Sequence, residues 1–137
     1  MNTNKNHQRL LLTLLILSVV ITAFHYTDNF INFLSYPSPE WMTPQSVYQS
    51  WFILTGIGIV GYIFYLNNVL WLAYICLSIY SLTGMLSPVH YLFQTTETFY
   101  FKMHTFIWLD FITGSLILVF TIWSGLFLKE WKQLVNE

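Results

Sequence analysis

The chain has 137 residues, of which 55% are hydrophobic and only 8% are charged. Soluble domains usually carry about a quarter of their residues as Asp, Glu, Lys and Arg, so this composition excludes a protein whose whole surface faces water. The net charge of −1 argues against nucleic-acid or acidic partners, and the single Cys76 excludes an intrachain disulfide.

Apolar stretches of membrane-spanning length predict the fold. They are Leu10–Tyr26, Val47–Leu66, Val69–Ser87 and Met103–Leu128. Each approaches or exceeds the roughly 17–25 residues that a helix needs to cross a bilayer, and none shows the period-two alternation of a membrane strand. We therefore predict an all-α integral membrane four-helix bundle, up-down-up-down, with residues 1–137 forming one domain in contact with the lipid bilayer.

The connections and the basic residues predict the orientation of this bundle. Residues 67–68 form a tight cytoplasmic turn, whereas residues 27–46 and 88–102 form longer outer loops. Lys5 and Arg9 precede the first span, and Lys129 and Lys132 follow the fourth. Because basic residues concentrate on the cytoplasmic side, both termini are predicted to be cytoplasmic. The alternative that the first span is a cleaved secretory signal is disfavoured, since residues 20–24 offer no small-x-small cleavage site.

Small residues within the spans indicate where helices approach closely. Gly58 and Gly61 lie in the second span, Gly84 in the third and Gly114 in the fourth. Their missing side chains allow neighbouring backbones to touch. No pair has the GxxxG spacing of a specific dimer, so we expect these glycines to pack the four helices of one chain together.

Polar residues collect at the outer end of the predicted bundle. His25, Asp28 and Asn29 end the first span, Ser87 and His90 end the third, and His104 and Asp110 begin the fourth. Asp110 is the only acid within an apolar stretch, at a depth where an unpaired carboxylate costs roughly 2–3 kcal/mol or more. It must therefore point into the bundle, and His25 or Ser87 is the expected hydrogen-bond donor. The fourth histidine, His7, lies in the polar N-terminal tail and is expected to be solvated.

Three histidines at one level suggest a metal site. His25, His90 and His104 are the candidate ligands, and Asp28, Asp110, Asn29 and Ser87 are candidates for orienting them. Three imidazoles suffice for Zn²⁺ with a water, and imidazole also suits Cu, Fe and haem iron. The chain has no His-x-x-x-His or Cys-x-x-Cys motif, so this site depends on convergence in three dimensions. Ser87 beside His90 is also a candidate nucleophile, although it more simply ends a helix before Pro88.

The pattern His25-Tyr26-x-Asp28-Asn29, Ser87-x-x-His90-Tyr91 and His104-x-x-x-Trp108-x-Asp110 resembles small bacterial four-span membrane proteins. The resemblance spans nearly the whole chain. It implies the four-helix membrane fold and a location in a bacterial inner (plasma) membrane, and it brings no activity with it.

Two functions fit these observations. The first is a membrane-embedded site for a metal, haem or small ligand, with an enzyme of this kind acting on a lipid, a quinone or another small apolar molecule. The second is a non-catalytic membrane subunit or assembly factor, whose outer loops dock a membrane-protein partner or a second copy of the chain. The clustered histidines and aspartates favour the first. Chain length favours the second, because 137 residues are expected to leave little room for a substrate cavity.

Overall fold

A computed structural model describes residues 5–36, 38–93 and 100–133 of the chain, and all of the regular structure in them is helical. The long helices are α1 (Lys5–Ile31), α2 (Pro44–Leu66), α3 (Leu70–Met85) and α4 (Phe101–Ile122), followed by a short α5 (Glu130–Gln133). Two 3₁₀ segments, Phe33–Ser35 and Ser87–Leu92, and a π-helical turn, Trp123–Phe127, complete the elements.

The prediction of an all-helical chain with four long apolar helices is confirmed. Four stretches are long and apolar enough to cross a membrane: Lys5–Ile31, Pro44–Leu66, Leu70–Leu92 and Phe101–Phe127. The first helix continues beyond Tyr26, where the sequence predicted its end. His25, Asp28 and Asn29 therefore all lie on α1 itself.

Local sequence explains how α2 begins and ends. Thr43 Oγ1 accepts a hydrogen bond from the Ser46 amide at 3.2 Å, and Ser46 Oγ accepts one from the Thr43 amide at 2.9 Å. This reciprocal cap, with Pro44 as the first helical residue, is a strong helix start. At the other end Asn68 has a φ of 60°, a left-handed conformation that asparagine tolerates. The predicted tight turn between the second and third spans is therefore confirmed.

The four long helices close into a ring in which α1 contacts α2 and α4, and α3 contacts α2 and α4. An apolar layer fills the centre, including Leu11, Leu15, Leu77 and Ile117. The outward faces are also apolar: Phe52 and Val119, for example, are 64% and 62% exposed. A bundle that is apolar both inside and outside is suited to a lipid environment.

The glycines sit where helices touch, as predicted. A Cβ built on Gly58 would lie 2.8 Å from the Tyr80 ring, and one on Gly61 would lie 2.9 Å from the Cys76 Cβ. A Cβ on Gly84 would lie 2.6 Å from the backbone oxygen of Asp110. The backbones of α3 and α4 are therefore in direct contact beside the aspartate.

Hydrogen bonds between helices mark two polar ends of the bundle. His25 near the end of α1 pairs with Asp110 in the first half of α4, and His7 at the start of α1 pairs with Glu130 after α4. We call these the His25 end and the Glu130 end. The apolar layer lies between them.

Candidate functional site

Asp110 is the centre of the His25 end. Its side chain is fully buried, and Ser87 Oγ donates to its Oδ2 at 2.6 Å while His25 Nδ1 lies 2.8 Å from the same oxygen. Both donors expected from the sequence are therefore present, each from a different part of the chain. The carboxylate ties α1 and the segment after α3 to α4.

The pairing with Asp110 determines whether the other ring nitrogen of His25 donates or accepts a hydrogen bond. Because a carboxylate only accepts hydrogen bonds, Nδ1 carries the proton, and the opposite nitrogen of the neutral ring is an acceptor. That nitrogen, Nε2, is buried and has no hydrogen-bond partner among the described residues. A histidine held by a carboxylate with its other nitrogen unused is the usual arrangement for taking a proton or binding a ligand.

A second histidine and an asparagine lie beside His25. The ring centres of His25 and His90 are 5.8 Å apart. Asn29 Nδ2 lies 3.4 Å from His90 Nε2, a long hydrogen bond, and Asn29 Oδ1 is buried without a partner among the described residues. Two unpartnered acceptors of the site, on His25 and Asn29, therefore lie on adjacent turns of α1, and a third is Asp110 Oδ1.

Asp28, the other aspartate predicted for the site, contacts a tyrosine and a lysine. The Tyr36 hydroxyl donates to Asp28 Oδ2 at 2.7 Å, and Lys102 Nζ lies 2.7 Å from Asp28 Oδ1. The Tyr36 ring centre is 5.9 Å from that of His25 and 5.3 Å from that of His90. Burial and the hydrogen bond to Asp28 raise the pKa of the Tyr36 phenol above its ordinary value, so it remains a protonated donor.

His104 lies with Tyr91. The Tyr91 hydroxyl is 2.8 Å from His104 Nδ1, and the two rings stack with centres 5.6 Å apart. In residues 5–36, 38–93 and 100–133, no three His, Cys, Asp or Glu side chains are grouped so that they could hold a metal ion. The structure brings together the histidine pair His25 and His90, and a metal or haem site that also uses His104 stays a prediction.

A cavity of about 490 Å³ adjoins the site, within the size range of small-molecule pockets. Its polar end is lined by His25, Asn29, Ser87 and His90, and its apolar walls include Leu54, Ile79, Leu82 and Leu86. The last three wall residues are 44%, 48% and 60% exposed, so the wall continues onto the outer surface of the bundle. The expectation that so short a chain leaves little room for a cavity is wrong.

The Glu130 end contains a second buried carboxylate that the sequence did not single out. Glu130 accepts hydrogen bonds from Tyr65 at 2.7 Å and from Ser124 at 2.5 Å, and His7 Nδ1 lies 2.6 Å from its other oxygen. The expectation that His7 is merely solvated is therefore wrong. Both carboxylate oxygens are engaged, so this cluster fastens the start of α1 to the segment after α4. An acid next to lysines at the end of a span is usually solvated, which is why no sequence signal distinguished it.

No family model, no curated protein and no solved structure matches this chain. Fold and site together define its class: an all-helical chain with four helices able to span a membrane, and a buried histidine–aspartate pair at one end of a cavity.

Proposed function

We propose that this chain is an integral membrane protein that binds a small lipid-soluble molecule in the cavity at the His25 end. The observation that carries the proposal is the combination of apolar walls with two buried, unpartnered acceptors on residues at the polar end, His25 and Asn29. Buried polar atoms normally have partners, and an unpartnered one costs about 1–3 kcal/mol. A ligand head group would supply the missing partners.

The surface of the helices supports a membrane location. The apolar outward faces would be unfavourable in water but match lipid chains. Trp41 and Trp108 are 75% and 50% exposed at the His25 end, and Trp71 is 60% exposed towards the Glu130 end. Exposed tryptophans at both ends correspond to the aromatic belts of membrane proteins.

The orientation we propose places the Glu130 end in the cytoplasm. Lys5, Arg9, Lys129 and Lys132 belong to that end, leaving only Lys102 of the five basic residues at the other. We expect reporter fusions after Asn67 and after Glu137 to give cytoplasmic signals, and a fusion after Trp41 to give an external one, because basic residues concentrate on the cytoplasmic side. An external signal at either of the first two positions would contradict this orientation.

The walls of the cavity indicate how a ligand reaches the site. The exposed wall residues Ile79, Leu82 and Leu86 lie on α3 and directly after it, on a surface that lipid would cover. A lipid-soluble molecule could therefore move sideways from the outer leaflet into the cavity. Its apolar part would remain against the walls while its polar head reaches His25 and Asn29.

Filling the cavity should remove the ligand. Thr83 lines the cavity, and Thr83→Trp would place an indole there. We expect wild-type protein purified in mild detergent to retain a lipid-soluble molecule, seen as added mass in native mass spectrometry and recovered by organic extraction. Thr83→Trp should lose most of it. Thr13→Trp is the matched control, since Thr13 also bonds a backbone oxygen one turn earlier but is exposed and outside the cavity.

Two other outcomes would contradict the proposal and favour a different function. Stoichiometric metal in the wild-type protein that disappears in His90→Ala, without any extractable molecule, would support the metal-site hypothesis. Equal extracts from wild type, Thr83→Trp and Thr13→Trp would show that the cavity holds no specific ligand, and the role of a partner-docking membrane subunit would remain.

A further inference from the structure

We infer that the head group of the ligand is an uncharged hydroxyl, as on a long-chain phenol or alcohol, and is not a carboxylate, a phosphate or an ammonium. This inference rests on the proposed function and concerns the same site. It follows from which polar atoms at the His25 end are already used and which are free.

Two of the residues that line the cavity have a buried atom without a partner among the described residues, and both of these atoms accept hydrogen bonds. His25 Nδ1 is committed to Asp110, so the neutral ring offers only the lone pair of Nε2. Asn29 Nδ2 already contacts His90, so the atom of the Asn29 side chain without a partner among the described residues is its carbonyl oxygen, an acceptor. A head group that donates hydrogen bonds satisfies such a pair, whereas a head group that only accepts, such as an ether or a carboxylate, leaves it unsatisfied.

The charges around the site disfavour an anion. Among the charged residues that the structure describes at this end, Asp28, Glu40 and Asp110 are acidic and Lys102 is basic. Lys102 Nζ lies 2.7 Å from Asp28 and is therefore paired. A carboxylate or phosphate head would enter a buried region beside the Asp110 carboxylate without a free cation, and like charges at short range repel strongly where water is excluded.

An ammonium head would donate hydrogen bonds but is also disfavoured. Taking a full charge out of water is repaid only by a close and well-oriented counter-charge. The buried Asp110 carboxylate does not line the cavity: its Oδ2 already accepts from Ser87 and His25, and its unpartnered Oδ1 lies against Gly84. A neutral hydroxyl avoids this desolvation penalty and still supplies a donor for the unpartnered acceptors on His25 and Asn29.

Four probes with the same alkyl chain test the inference: 4-nonylphenol, its methyl ether 4-nonylanisole, 4-nonylbenzoate and 4-nonylbenzylammonium. Titration calorimetry on the detergent-purified full-length chain should show the phenol binding about 5-fold tighter than the ether or more, since a buried acceptor left unsatisfied costs at least that much. The benzoate should bind more weakly than the phenol. The ammonium should also bind more weakly than the phenol.

A variant identifies the acceptor. Asn29→Leu removes the free carbonyl oxygen, so the ratio of phenol to ether affinity should fall by about 5-fold while ether binding persists. Asn67→Leu, at an asparagine in the turn at the opposite end, should leave the ratio unchanged. The ratio measured on the wild-type chain tests the inference even when Asn29→Leu does not fold.

The outcomes separate this inference from the proposed function. Equal binding of phenol and ether, or tightest binding of the benzoate or the ammonium, would overturn the hydroxyl head group while leaving a ligand-binding cavity. If none of the four probes bound, or if Thr83→Trp did not change their binding, the proposed function itself would be overturned.

Discussion

Replacing Asp110 with leucine should lower the apparent melting temperature of the detergent-purified protein more than a substitution at any other polar residue of the His25 end. The change removes the acceptor of both Ser87 and His25 and leaves two buried groups without a partner. Each such group costs about 1–3 kcal/mol. Asp110→Asn keeps the shape and one acceptor oxygen, so its loss should be smaller.

A double-mutant cycle assigns this cost to the hydrogen bonds. Ser87→Ala should destabilise the wild-type protein, but should cost less in the Asp110→Leu background, because the hydroxyl there has already lost its acceptor. Thermal melts followed by light scattering or tryptophan emission measure all four proteins. An Asp110→Leu protein as stable as wild type would show that the buried carboxylate is not needed to hold the bundle together.

The helices and the partners of Asp110 were predictable because each depends on a strong local requirement. Runs such as Leu10–Tyr26 and Met103–Leu128 are long and nearly free of charged side chains, so composition alone predicts long apolar helices there. Asp110 is an isolated carboxylate in an apolar stretch, which must be buried with donors at its own depth. His25 and Ser87 were the available groups at that depth, and both contact it.

Other parts of the site depend on geometry that sequence spacing does not contain. His104 contacts Tyr91, a pairing that the sequence did not predict, because depth along the axis does not determine the direction in which a side chain points. Tyr36 follows the end of α1 and folds back onto the histidines, a path that only the tertiary structure defines. His7 and Glu130 are separated by nearly the whole chain, and neither has a local pattern that predicts the other.

The two polar ends differ in a way that bears on function. At the Glu130 end both carboxylate oxygens are paired, so that cluster requires nothing from outside the chain. At the His25 end acceptors on His25, Asn29 and Asp110 have no partner among the described residues. Full satisfaction favours rigidity and partial satisfaction favours a binding site. Of the two polar ends, it is the His25 end that the cavity adjoins.

The close contact between α3 and α4 connects stability with this site. A Cβ on Gly84 would lie 2.6 Å from the Asp110 backbone oxygen, 2.9 Å from Asp110 Oδ1 and 3.2 Å from the Gly114 Cα. Two of these atoms belong to the backbone of α4, so rotation of a side chain could not relieve the clash. An added methyl group would have to push the two helices apart and displace Asp110 from Ser87 and His25.

Gly84→Ala should therefore destabilise the protein by about 1–3 kcal/mol, the usual cost of overpacking, and should also weaken ligand binding at the His25 end. Gly56→Ala is the matched control on α2, because nothing lies within 4 Å of a Cβ at Gly56. Alanine favours a helix over glycine by about 0.5–1 kcal/mol, so Gly56→Ala should be neutral or stabilising. In thermal melts, Gly84→Ala should unfold at a lower temperature than wild type, whereas Gly56→Ala should unfold at the same or a higher temperature. In titrations, Gly84→Ala should bind 4-nonylphenol more weakly than Gly56→Ala does. If Gly84→Ala matched Gly56→Ala in both measurements, α3 and α4 would not be in contact at Gly84, and Asp110 would not depend on that contact for its position.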